Sequence, residues 1–146
     1  GSGDILMRYL KVTQHMSRLF REHFGRLHLT FPQALVLTVL GEEGPMPISA
    51  LAERTGSANS TVSGIVDRLE KLGLARRQRS ETDRRVIYVC ATEKYNALRA
   101  KAATDVSGYF SSLLSGMSQE DRAMIAAAFQ KLDDALLQAG TEQSGP

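Results

Sequence analysis

Apolar side chains recur at helical spacing through the start of the chain. Ile5, Leu6, Tyr9, Val12, Met16, Leu19, Phe20 and Phe24 define one face of a helix over residues 4–25, with Gly25 as its stop. Thr30-Phe31-Pro32-Gln33 then has the form of a capping box: Thr30 satisfies a free backbone N–H, Gln33 reaches back, and Pro32 sits harmlessly in the first turn. The helix behind it buries Leu35, Val36, Val39 and Leu40 and ends within Gly41–Gly44, before a turn marked by Pro45 and Pro47. Two short helices follow. Residues 48–55 offer Ile48, Leu51 and Ala52 to a core and stop at Gly56; residues 57–73 offer Val62, Ile65, Val66, Leu69 and Leu72, with Ser57 as N-cap and Gly73 as terminator. A helix, a Gly-containing turn and a second helix form a helix-turn-helix pattern.

The period then changes from helix to strand. Residues 74–79 and 86–91 predict a hairpin, with Ile87, Val89 and Ala91 on one face of its second strand and Val86, Tyr88 and Cys90 on the other. Thr92 caps a long helix expected to run to about Ser115. Gly116 interrupts it, and Ser118-Gln119-Glu120-Asp121 caps a last helix to about Leu137 that carries Met124, Ile125, Ala128, Phe129, Leu132 and Leu136. Residues 138–146 are expected to be a flexible tail, and Gly1-Ser2-Gly3 a remnant foreign to the fold. The predicted class is mainly α with a small β-hairpin. It divides into an N-terminal helix (4–29), a helix-turn-helix with hairpin (30–91) and C-terminal helices (92–137).

Composition narrows the function without naming it. With 42% apolar and 23% charged residues the chain is globular. No apolar run reaches the roughly 18 residues of a membrane span. A single cysteine, Cys90, rules out an internal disulfide and suits a reducing cytoplasm. Net charge is only +2, but its distribution is uneven. Between residues 74 and 86 five arginines (76, 77, 79, 84 and 85) face only Glu81 and Asp83, whereas residues 117–146 are net acidic. Concentrated positive charge in mid-chain points to a polyanionic partner.

Two stretches carry candidate chemistry. Away from its apolar stripe, helix 57–73 presents Asn59, Ser60, Thr61, Ser63, Gly64, Asp67, Arg68 and Lys71, with Ser57 at its start. Short polar groups near a helix N-terminus can approach base edges and phosphates closely, although a solvated helix face is also polar. The hairpin loop carries Arg84 and Arg85 on a narrow finger suited to a DNA minor groove, with Asp83 able to brace it; a solvated charge run is the plainer reading. The helix pair immediately before the finger favours DNA. Arg76, Arg77 and Arg79, on the strand, are assigned to background field or phosphate contact.

These residues carry a family resemblance. "LTFPQALVLTVL" and "ISALAERTGSANSTVSGIVDRLEKLGLARRQRSETDRRVIYVCATEK" resemble the MarR family of bacterial winged helix-turn-helix transcription regulators, over about residues 5–137. The resemblance implies a homodimer held by N- and C-terminal helices, bound to a pseudo-palindromic double-stranded DNA operator and usually repressing. It implies Ser57 through Arg68 as the recognition helix and Arg85 as the minor-groove arginine, with Arg84 beside it and Asp83 bracing it. Ala91 and Tyr95 depart from the family pattern where the wing meets the next helix. Independently, the apolar Ile5, Leu6, Tyr9 and Leu10, and Phe129, Leu132, Leu136 and Leu137, are too greasy for lone arms; a symmetric pair would bury them. Two recognition helices one turn apart, ~34 Å, would read an inverted repeat of roughly 16–20 base pairs.

Other chemistry is weakly signalled. No nucleophile–base pair or nucleotide-binding fingerprint is present, so no catalytic residue and no cofactor are assigned. His15, His23 and His28 lack chelating spacing, so no metal site is assigned. Cys90 is taken as a small hydrophobe, since the resemblance implies peroxide-sensing cysteines in the first helix, which has none. The resemblance implies an effector cleft between the dimer helices and the DNA-binding lobe, where His15, Arg18, Leu19 and Phe31 would lie, a cation with apolar surface suited to an aromatic carboxylate. Glu22, one turn beyond Arg18, can pair with it and blunt that charge, and the same residues also suit core and dimer contacts. A winged-helix module for an acidic protein partner and a regulator without ligand remain the alternatives.

Overall fold

The computed structural model describes residues 1–101 and 105–143. The chain forms two compact units, one through Phe110 and one from Ser111. Helices α1 (Ser2–Arg26), α2 (Phe31–Glu43), α3 (Ile48–Thr55) and α4 (Asn59–Lys71) lead into strands β1 (Ala75–Arg79) and β2 (Ile87–Ala91), followed by α5 (Glu93–Lys101), α6 (Val106–Leu113) and α7 (Gln119–Gln143).

Helix α1 passes through Gly25, the expected stop. It ends instead where His28 takes a left-handed conformation, φ 60°. The Leu29 N–H then donates to the Phe24 carbonyl at 2.9 Å and the His28 N–H to Gly25 at 3.0 Å, a Schellman closure achieved without glycine. The capping box of α2 forms as expected: Gln33 N–H donates to Thr30 Oγ1 at 3.3 Å and Thr30 N–H to Gln33 Oε1 at 3.1 Å. The exit of α2 falls within the expected Gly41–Gly44, with Gly41 still inside the helix. Gly41 is a notch: a Cβ there would run into the Arg99 guanidinium and lie 3.6 Å from the Tyr95 ring. Gly44, at φ 87°, makes the actual exit.

Tyr95 explains the departure from the family pattern at the wing–helix junction. Its ring is fully buried in a core with Phe24, Leu37, Leu51, Val62, Val66, Leu69 and Val89, fitting beside the Gly41 notch. The core therefore joins α2, α3, α4 and the hairpin into one body that holds α4 in place. Truncating a buried leucine of this core, such as Leu69, removes about 2–5 kcal/mol.

The strands pair antiparallel from Ala75↔Ala91 to Arg79↔Ile87. Met46, in the α2–α3 connection expected to be a simple turn, adds a one-residue bridge: Val89 N–H donates to Met46 O at 2.8 Å and Met46 N–H to Val89 O at 3.2 Å. Thr92 caps α5 by accepting from Tyr95 N–H at 3.4 Å. The single long helix expected from there is broken at Asp105. Its carboxylate accepts from Gly108 N–H at 3.1 Å and Arg99 Nη2 at 3.0 Å, while Val106 N–H donates to the buried Thr38 Oγ1 at 2.9 Å. In the second unit, Ser118 caps α7 by accepting from Asp121 N–H at 3.1 Å. Helix α7 continues to Gln143, so residues 138–143 of the expected tail are helical; residues 144–146 lie outside the described residues. Among the described residues no helix is long and apolar enough to cross a membrane.

Candidate nucleic-acid interface

Helix α4 buries Val62, Val66 and Leu69 along one stripe, which turns Asn59, Ser60, Thr61, Gly64 and Arg68 to the exposed side. It begins at Asn59 behind Ala58, whose side chain offers no cap, rather than at Ser57. The Ser57 amide is already used, donating to the Ala52 carbonyl at 3.0 Å to close α3. Ser57 therefore sits half-buried in the turn. The first-turn N–H groups of α4 are left without a side-chain acceptor from the cap, the arrangement that favours an external anion. At Gly64 a Cβ would meet nothing within 4 Å, so packing inside the chain does not require glycine there. The bare backbone instead keeps the middle of the exposed face low.

Seven residues, 80–86, connect the strands of the wing. Asp83 braces Arg85 as expected, accepting from its backbone N–H and its Nε at 3.1 Å and from Nη2 at 3.3 Å. These bonds hold the Asp83 carboxyl below its ordinary pKa, chiefly through the guanidinium and then through the backbone N–H. The Arg85 side chain remains 91% exposed, so its cation is aimed without being covered. Arg84 is exposed beside it, and its carbonyl accepts from Arg79 Nη1.

The strand arginines divide in a way the sequence reading did not anticipate. The pleat puts Arg76 outward but turns Arg77 to the face shared with buried Ala75. There Arg77 Nη1 pairs with Asp67 at 2.8 Å and with Glu70, and Nη2 donates to the Ser63 carbonyl and hydroxyl at 3.3 and 3.2 Å. Arg77 thus supplies α4 with a brace and the solvent with little field. The signal was present in Asp67 and Glu70, acids one turn apart on the helix, opposite an arginine in phase with a buried alanine.

A model of the MarR family matches residues 29–87, from the start of α2 through the wing tip. Over 113 residues the chain is 30% identical to the HTH-type transcriptional regulator MgrA of Staphylococcus aureus, an alignment covering 76% of this chain and 77% of MgrA. The chain belongs to the MarR family. As a MarR-family protein it is a DNA-binding transcription regulator and not an enzyme. The fold of NMB1585, a MarR family regulator from Neisseria meningitidis, superimposes with a TM-score of 0.75 at 21% identity, covering 99% of both chains. Bordetella bronchiseptica BpsR, whose DNA binding is regulated by 6-hydroxynicotinic acid, gives 0.73 at 24% identity, covering 92% of this chain and 94% of BpsR.

The MarR-family chain also carries an open-sided groove of about 630 Å³ between α1 and α2, which overlaps the expected effector cleft only in part. Met16, Ser17, Phe20, Arg21 and Phe31 are among the side chains that line it. Of the four residues named from sequence only Phe31 belongs to it. His15, Arg18 and Leu19 are out of phase on α1, roughly 100° per residue away from the 13-16-17-20-21 stripe that faces the groove. His15 and Arg18 point to solvent, and the Leu19 carbonyl accepts from the Tyr109 hydroxyl at 3.3 Å. Of the other histidines, His23 stacks on Tyr109 with ring centroids 3.8 Å apart. Cys90 is half-buried on β2, its thiol 3.9 Å from Gln78 Oε1.

Proposed function

We propose that this MarR-family regulator is a cytoplasmic homodimeric repressor that binds a pseudo-palindromic operator. Asn59, Ser60, Thr61, Gly64 and Arg68 of α4 enter the major groove while Arg84 and Arg85 reach the flanking minor groove. The observation that carries this reading is the pairing of an open, short-side-chain helix face with an arginine finger braced by its own aspartate. Dimerisation is supported by the exposed apolar residues of both terminal helices: Ile5, Leu6, Tyr9 and Leu10 on α1, and Met124, Phe129, Leu136 and Leu137 on α7. Each such side chain contributes about 1.5–3 kcal/mol when fully buried.

Release is by a small aromatic or anionic effector in the α1–α2 groove. There Phe20 and Phe31 stack with ring centroids 5.0 Å apart, and Arg21 supplies the cation a carboxylate would pair with. BpsR, of similar fold, is regulated by such an acid. Occupancy would shift the population toward a lobe spacing that no longer matches adjacent grooves. Selection from random DNA followed by a mobility shift tests the operator; a protein that enriches no sequence contradicts the reading. A panel of aromatic acids in a thermal-shift assay tests the effector, and uniformly null shifts indicate a regulator without ligand.

A further inference from the structure

Arg77 is a wing-strand residue whose bonds go to the recognition helix. Its guanidinium spans two turns of α4: Nη2 is held by the Ser63 carbonyl and hydroxyl, and Nη1 by Asp67 and Glu70. Glu70 returns the contact by accepting from the Arg77 backbone N–H at 3.1 Å, so side chain and strand backbone are fixed together. The Arg77 side chain is 27% exposed, against 91% for Arg85 at the tip. A planar fork filled on both nitrogens fixes orientation as well as distance, which a lysine's point charge does not. The same contact neutralises two carboxylates on the helix that approaches DNA, where unpaired they would repel phosphate.

We infer that Arg77 is a positioning residue for sequence recognition, locking α4 and the wing into one pose so that their groove contacts fall in register. The inference rests on α4 and the wing being the DNA-reading surface. Arg77 touches neither base nor phosphate; it acts through Ser63, Asp67 and Glu70. Losing the fork therefore degrades discrimination between sequences while leaving general attraction to DNA intact.

The test compares Arg77→Lys and Glu70→Gln with the parent chain on two duplexes: one enriched from random DNA by the parent, the other a scrambled duplex of equal length. Arg77→Lys is expected to weaken binding to the enriched duplex about tenfold, comparable to one mismatched base pair, with scrambled-duplex affinity and salt dependence unchanged. Glu70→Gln, which removes an acid near DNA, is expected to strengthen scrambled-duplex binding while losing discrimination to a similar extent. A variant that merely misfolds loses both duplexes, and Glu70→Gln reports the same contact if Arg77→Lys is unstable. Failure of the parent to enrich any duplex overturns the DNA reading itself. An enriched duplex still discriminated at the parental ratio by either folded variant overturns the role of Arg77 alone.

Discussion

Replacing Arg85 by alanine removes one exposed cation per wing and, in a dimer, two per operator. A well-placed arginine contact is worth about 1–3 kcal/mol, so each wing loses roughly 5- to 150-fold in affinity. The salt dependence gives a sharper number. Each phosphate charge neutralised contributes about 0.9 to the slope of log affinity against log salt, so two lost arginines make the line shallower by about 1.8. Raising salt fourfold, from about 50 to about 200 mM, should then shrink the gap between parent and variant by about 12-fold. Fluorescence anisotropy with a labelled operator duplex at several salt concentrations measures this directly. Because among the described residues Arg85 bonds to Asp83 alone, within the tip, the hairpin register and the core are left intact. Parallel lines for parent and variant, or equal affinity throughout, would refute the assignment of Arg85 to DNA.

The brace on that arginine is sensitive to pH. Asp83 is depressed below its ordinary value, so its contribution is complete above that value and is lost as pH falls through the lowered one. Operator affinity should therefore drop on acidification below the ordinary carboxylate range more steeply in the parent than in Asp83→Asn, which titration of binding by anisotropy checks. Thr30→Ala removes the capping box of α2 and should cost about 1 kcal/mol, seen as a melting midpoint lower by roughly 3 °C. Phe129→Asp with Leu136→Asp puts charge on the apolar face of α7 and should give a monomer by sedimentation velocity; an unchanged dimer would exclude that face from the interface.

Several local signals were legible, although the cap expected at Ser57 falls at Ala58. The capping residues Thr30, Thr92 and Ser118, the inward stripe of α4 and the two strands of the hairpin all depend on neighbours within a few residues, and the structure places them as expected. Gly44, Gly56 and Gly73 close helices at positive φ as expected, whereas Gly25 and Gly41 lie inside helices. Gly41 makes space for Tyr95 and Arg99, partners more than fifty residues away. The break at Asp105 was hidden for a similar reason, since it uses the hydroxyl of Thr38. The candidate DNA face followed from helix phase and turn chemistry, but its brace did not. Arg77 becomes distinct from Arg76 only when the pleat direction is known. Three of the four candidate cleft residues fall outside the α1–α2 groove because an apolar stripe that wraps a long helix leaves its phase ambiguous. The groove takes the stripe through Met16 and Phe20, one residue round from Leu19.

The closed wiring of the wing tip has a consequence for search. The amides of Ser80 and Val86 donate to Val86 and Asp83 carbonyls, and those of Thr82, Asp83 and Arg85 donate to Ser80 Oγ and Asp83 Oδ1. Fixing a free backbone costs about 1–2 kcal/mol per residue, so a seven-residue loop that ordered only on contact would forfeit much of its affinity to lost conformational entropy. Here that loss is taken during folding, before any DNA is met. On the proposed reading the finger reaches each trial site already shaped, and sampling a wrong sequence requires no refolding step before release.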